Sequence, residues 1–177
     1  VRDTVTGLMD LLSVLAKLQN RQVALCLLRQ CASYGKLVHL MRGLPLQCRT
    51  SQFARFDAAV RAALEEIVGH PLEDGEWDQA VLPLRWGGLG LRRTADHREA
   101  ATLGARSSSR KLVERLCPEV EWDDESWADV AEAFNARVDE DSRVRLTPEG
   151  APLAQKALST GIDAKLLEAF ESKLTGR

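Results

Sequence analysis

Gln79 to Arg93 reads QAVLPLRWGGLGLRR, and the backbone of this stretch decides whether the chain contains any sheet. Leu82, Leu84, Trp86, Leu89 and Leu91 want burial, while Pro83 forbids a regular helix through them. Gly87, Gly88 and Gly90 supply φ values that other residues resist, or permit close backbone approach. The expected result is an extended or hairpin-like buckle near 82–92 with its apolar side chains tucked between helices. A phosphate cradle is the functional alternative for the glycines. The stretch contains neither GxxxxGK[ST] nor GxGxxG after a predicted strand, so it reads as architecture, set by Leu82, Pro83, Trp86, Gly87, Gly88 and Gly90.

Outward from this stretch the periodicity is helical. Leu8, Leu11, Leu12, Leu15 and Leu18 recur at three- and four-residue steps, the stripe of an amphipathic helix. A second helix follows Asn20, with Val23, Leu27, Cys31 and Tyr34 on one face and Gly35 as its stop. A short piece, Lys36–Arg42, ends at Gly43 and Pro45. The two apolar helices should pair as an antiparallel hairpin. Thr50 or Ser51 can cap a third helix that buries Phe56, Val60, Ala63, Leu64 and Ile67, and Gly69, His70 and Pro71 end it. Thr94 reads as the N-cap of a helix running to about Arg106, with Asp96 and Glu99 in its first turn. Ser107, Ser108 and Ser109 are expected to loosen the chain before a further turn through Leu116. Beyond Pro118, Glu119–Glu125 is acidic and linker-like, and Ser126 with Asp129 can cap a segment carrying Trp127, Val130, Ala131, Phe134 and Val138. Thr147 and Pro148 form a helix start, and a final helix, about Asp163–Lys173, should bury Leu166, Leu167 and Phe170. The fold class is all-α: a helical bundle with a Gly-rich buckle and a smaller acidic helical C-terminal part. Residues 1–117 form one expected domain and 118–177 an acidic linker with a helical appendage.

Charge is distributed unevenly. The net −2 of the 177 residues conceals +5 over residues 1–116 (17 basic, 12 acidic) and −7 over the remainder (7 basic, 14 acidic). From Leu11 to Phe56 there are seven cations (Lys17, Arg21, Arg29, Lys36, Arg42, Arg49, Arg55) and no acid. Such a half is the footprint of contact with a polyanion; the alternative is a basic face neutralised within the same chain, for example by Glu65, Glu66, Asp74 and Glu76. Arg21, Lys36, Arg42 and Arg49 fall at or near helix ends, and Arg85, Arg92 and Arg93 flank the glycines, so long cationic side chains can reach phosphates without reading bases.

Catalytic motifs are missing. His39, His70 and His97 lie in no nucleophile or metalloprotease pattern, and the carboxylates at 119–125 and 139–141 read as solvated loops. Cys26 and Cys31 are spaced C-x₄-C within one expected helix rather than in a knuckle turn, so the cysteines read as small helix-face hydrophobes rather than as zinc ligands joined by His39 and Cys48. No cofactor is implied. No apolar run reaches the ~18–20 residues of a membrane span, and four irregularly spaced cysteines imply a reducing, intracellular compartment in the nucleus, cytoplasm or an organelle. An opening Val in place of Met suggests a piece of a longer polypeptide or a processed product.

The run QVALCLLRQCASYGKLVHLMRGLP (22–45) resembles the segment just after the palm of non-LTR retrotransposon-type reverse transcriptases, where an LLR-x-C helix leads to an R-x-x-P. Phe56-Asp57, then LP-x-x-x-GGLGLR from Leu82 to Arg92, then QKALSTGIDAKLLEAF (155–170) continue the likeness in order. The resemblance implies the thumb and the region beyond it, which packs on the palm and grips the template–primer duplex. The palm's YxDD-type metal-binding motif does not occur here, so no catalytic residue carries over. Arg29 and Arg42 are implied as duplex or palm contacts, Gly87, Gly88 and Gly90 as shape-determining, and Arg92 as a backbone contact. Expected partners are an RNA/DNA duplex or structural RNA, the rest of the parent polypeptide, and other protein subunits. The alternative is a domesticated helical scaffold subunit that binds protein or structural RNA within a larger assembly.

Overall fold

A computed structural model describes residues 2–43, 50–123, 125–146 and 153–176. The expected Arg49 contact, the Pro45 stop, Cys48 and the Thr147–Pro148 helix start lie outside these residues. The fold is all-α. In order come α1 (Arg2–Ala16), α2 (Arg21–Leu27) continued by a π turn (Leu28–Ala32), and a 3₁₀ turn (Tyr34–Lys36). Then follow α3 (Val38–Gly43), α4 (Thr50–Val68), α5 (Asp74–Val81), a 3₁₀ turn (Leu84–Trp86) and α6 (Thr94–Leu116). After two further 3₁₀ turns around α7 (Ala128–Asn135), α8 (Gln155–Thr175) closes the chain's described part. Among the described residues no helix is long and apolar enough to cross a membrane.

The larger core is formed by α1 to α5. Val5, Leu12 and Leu15 of α1 meet Phe53, Phe56, Val60, Leu64 and Ile67 of α4, all under one-tenth exposed. Asn20 caps α2, its Oδ1 accepting from Val23 N at 3.1 Å. The inward face of α2 is Ala24, Leu28 and Ala32, whereas Val23, Leu27 and Cys31 of the expected stripe are exposed. Both sets recur at four-residue steps one position apart, so periodicity alone could not choose. The alanines turn inward because they let the backbone of α2 approach its neighbours closely. Likewise Leu11 and Leu18, counted in the α1 stripe, are 43% and 39% exposed.

The second core joins Ala100 and Leu103 of α6 to Val130, Ala131 and Phe134 of α7, Val138, Val144, and Leu158 and Ile162 of α8. Ala101 of α6 faces the first core, so the division between cores runs along α6, while the expected boundary at 117 marks where that helix ends. α6 itself is continuous through the three serines. Ser108 and Ser109 send their hydroxyls back to the carbonyls of Ala105 and Arg106, both at 2.9 Å, which removes their competition for backbone hydrogen bonds. α8 begins eight residues earlier than the apolar pattern suggests. Its buried face is Leu158, Ser159, Gly161, Ile162 and Asp163, while Leu166, Leu167 and Phe170 are only half-buried.

Candidate nucleic-acid interface

The buckle is a folded knot of backbone hydrogen bonds rather than a strand pair. Leu82 N donates to Gln79 O at 3.1 Å, Leu89 N to Ala80 O at 3.1 Å and Gly90 N to Leu82 O at 2.8 Å. Gly87 and Gly90 have φ of +78° and +74°, a region that disfavours other residues. Gly88 is needed for a different reason: a Cβ there would lie 2.0 Å from the Leu82 carbonyl oxygen and 2.6 Å from that of Gln79. Leu82 and Leu91 are fully buried, and Arg85 stacks on Trp86 with its Cζ 4.4 Å from the ring centre. Leu84, expected to be buried, is 57% exposed because its turn lies on the outer side of the knot.

The two arginines that leave the buckle are consumed by the fold. Arg92 pairs with Asp163, its Nε donating to Oδ1 at 3.2 Å and its Nη2 to Oδ2. Arg93 reaches Asp78 at 3.2 Å and Asp96 at 2.7 Å. Both were expected at the nucleic-acid face; each instead ties the buckle exit to neighbouring helices. Asp163 is itself buried and also faces His97 of α6, with Nε2 3.3 Å from Oδ1 but outside hydrogen-bond alignment. Burial alone would raise the Asp163 carboxyl, yet the imidazole and guanidinium outweigh it and hold it below the ordinary carboxylate range. The edge of Tyr34 meets the His97 ring at 5.4 Å between centroids, and burial pushes the Tyr34 phenol up, away from phenolate.

Two more anchors went unread in the sequence. Asp57 of α4 accepts from Thr94 N at 2.8 Å, Thr94 Oγ1 at 2.8 Å and Ala95 N at 3.0 Å. It therefore caps α6 from another helix, and Thr94 is the first helical residue rather than the cap. Burial raises the Asp57 carboxyl, opposed by the backbone N–H of Thr94 and of Ala95. Gln155 at the start of α8 accepts from Arg42 Nε at 2.8 Å and donates to Tyr34 Oη at 3.1 Å. A visible signal was available for Asp57: it is the first acid after 46 acid-free positions, on the apolar face of a helix.

The cations of the 11–56 run are placed differently. Lys17, Arg21, Lys36, Arg42 and Arg55 are exposed and Arg29 is half-buried. Among the described residues none of the six stands within ion-pair distance of a carboxylate. Arg21 Nη1 donates to Val68 O at 3.3 Å over Gly69 at the end of α4. Arg29 lines a small cleft of about 150 Å³ with Leu25, Cys26, Leu84 and Leu89, its stem against Gly90. Glu65 and Asp74 are taken by Arg61, at 3.2 and 2.9 Å, and not by the cations of the run. No group of three or more His, Cys, Asp or Glu among the described residues is arranged to hold a metal ion. In comparisons with protein-family models, curated proteins and solved structures, none matches this chain.

Proposed function

We propose that this chain is a non-catalytic, thumb-like module of a reverse transcriptase that grips an RNA/DNA template–primer duplex through the cations of its first half. The observation that carries the reading is electrostatic. Arg92 and Arg93 are neutralised by internal carboxylates, whereas Lys17, Arg21, Arg29, Lys36, Arg42 and Arg55 have no carboxylate partner among the described residues. Cations whose charge no internal carboxylate neutralises keep that charge for phosphates, and sequence-independent binding requires little else. The set so defined keeps Arg21, Arg29, Lys36 and Arg42 of the expected contacts and gives up Arg92 and Arg93.

Binding of a labelled RNA–DNA hybrid across a salt series tests it. Replacing Arg21, Lys36 and Arg42 together by Ala should weaken binding for every sequence and reduce the slope of log K against log salt by about two to three. An unchanged slope would overturn the assignment. A scaffold reading draws on a separate observation: Leu11 and Val14 on α1, Leu18 in the turn after it, and Val23 and Leu27 on α2 are each 37% exposed or more. Apolar side chains of this number on one hairpin suit a protein partner. A chain that binds no hybrid at low salt would favour that reading.

A further inference from the structure

The groove between α2 and the buckle holds a cation that the fold leaves unpaired. Gln22, Leu25, Cys26 and Arg29 line one side, at the i, i+3, i+4 and i+7 positions of α2 and its π continuation, and Leu84 and Leu89 of the buckle line the other. The cleft so formed has a volume of about 150 Å³. The Arg29 Cδ lies 3.7 Å from where a Cβ on Gly90 would stand, so its stem runs against the glycine-bearing backbone. Among the described residues its guanidinium has no hydrogen-bond partner and no carboxylate within ion-pair distance. Leu84, across the cleft, is 57% exposed. Val23 and Leu27 stand one position after Gln22 and Cys26, about 100° further round α2, and are 47% and 37% exposed. Cleft and apolar ridge therefore adjoin on one helix.

A planar guanidinium fork takes a carboxylate or a phosphate equally well, so the walls of the cleft decide between them. Three leucines, Leu25, Leu84 and Leu89, line it beside the charge, and no aromatic ring lines it for a base to stack on. The indole of Trp86, in the same turn as Leu84, carries the Arg85 guanidinium instead. A hydrated phosphate gains nothing from leucine walls, whereas an apolar protein side chain fills the space and removes those walls from water. We propose that this cleft is a docking site for an acidic amphipathic segment of a protein partner. One apolar side chain of the partner enters between Leu25, Leu84 and Leu89, and a carboxylate of the same segment accepts from the Arg29 guanidinium. Further apolar residues of the segment cover Val23 and Leu27. Residues 11–56 contain no acid, so this surface repels a basic segment and attracts an acidic one. The inference shares only Arg29 with the duplex reading, and it gives the scaffold reading, on whose exposed α2 residues it rests in part, a partner of definite chemistry.

The test pans a phage-displayed library of random dodecapeptides on the whole chain. Enriched peptides should place a large apolar residue within one helical turn of an acidic one. Synthesised with a fluorescein label, they should bind about tenfold more weakly to Arg29→Gln, and about tenfold more weakly to Leu84→Gln. Leu84 is exposed and Arg29 holds no internal partner, so neither change disturbs the fold. Bound peptide should also shield Cys26 from iodoacetamide, while Cys31, exposed and outside the cleft, stays reactive as the internal control. Full affinity for both variants would overturn the proposal, as would Cys26 alkylated at one rate with and without peptide. So would a library that yields no peptide above background. Oligothymidine shielding Cys26 where peptides do not would overturn it in favour of a nucleobase. RNA–DNA hybrid binding measured alongside separates this site from the duplex reading. Leu84→Gln should leave hybrid binding unchanged, and the variant lacking Arg21, Lys36 and Arg42 should still bind peptide with Cys26 shielded.

Discussion

At Gly88 a single added carbon would meet two carbonyl oxygens, those of Leu82 and Gln79, at 2.0 and 2.6 Å. Backbone cannot move aside there without undoing the hydrogen bonds that define the knot, so Gly88→Ala should cost at least about 3 kcal/mol, in the class of large, mechanism-specific losses. Gly87→Ala meets no atom within 4 Å and is opposed only by its positive φ, a cost of about 1–2 kcal/mol. Urea unfolding of the two variants checks this ordering, and equal losses would contradict it. The sequence made the three glycines legible as a requirement. It did not distinguish dihedral need from close approach, because that depends on which carbonyls the chain folds back upon.

Helix α6 is where local signals and tertiary structure part. Its sequence offers Thr94 as a cap and three serines as a break, yet Thr94 is helical and the helix runs on to Leu116. The N–H groups of its first turn are satisfied by Asp57, 37 positions away. Asp57→Ala would leave those buried donors without an acceptor and should cost about 2 kcal/mol. Amide exchange should rise first at Thr94 and Ala95, while the far end of the helix stays protected. In α2 the lesson concerns which of two parallel stripes turns inward. Ala24, Leu28 and Ala32 give closer packing than the bulkier Val23, Leu27 and Cys31, and only the neighbouring helices decide that.

For the whole molecule, Asp163 joins the buckle exit, α6 and α8 through Arg92 and His97. Its folded carboxyl titrates below the ordinary range, so between the two values the unfolded chain binds more protons. The associated stability is fully present above the unfolded value of about 3.9 and is lost as pH falls below it. Asp57 acts in the opposite sense: its carboxyl is raised, so its share declines as pH rises through the folded value. Asp163→Asn leaves Arg92 and His97 without their carboxylate and should cost about 3–5 kcal/mol at neutral pH. In denaturation at a series of pH values, the gap between variant and wild type should narrow below about pH 4. What the sequence alone determined was the helical class, the buckle at 82–92 and the basic character of the first half. These follow from periodicity, proline and glycine backbone constraints, and charge counts, all of which are local. Only the tertiary structure decided which cations remain available. Arg92, Arg93 and Arg61 find carboxylates far along the chain or across a turn, while among the described residues Lys17, Arg21, Arg29, Lys36, Arg42 and Arg55 do not, and such pairing depends on distance in space rather than on position in the sequence.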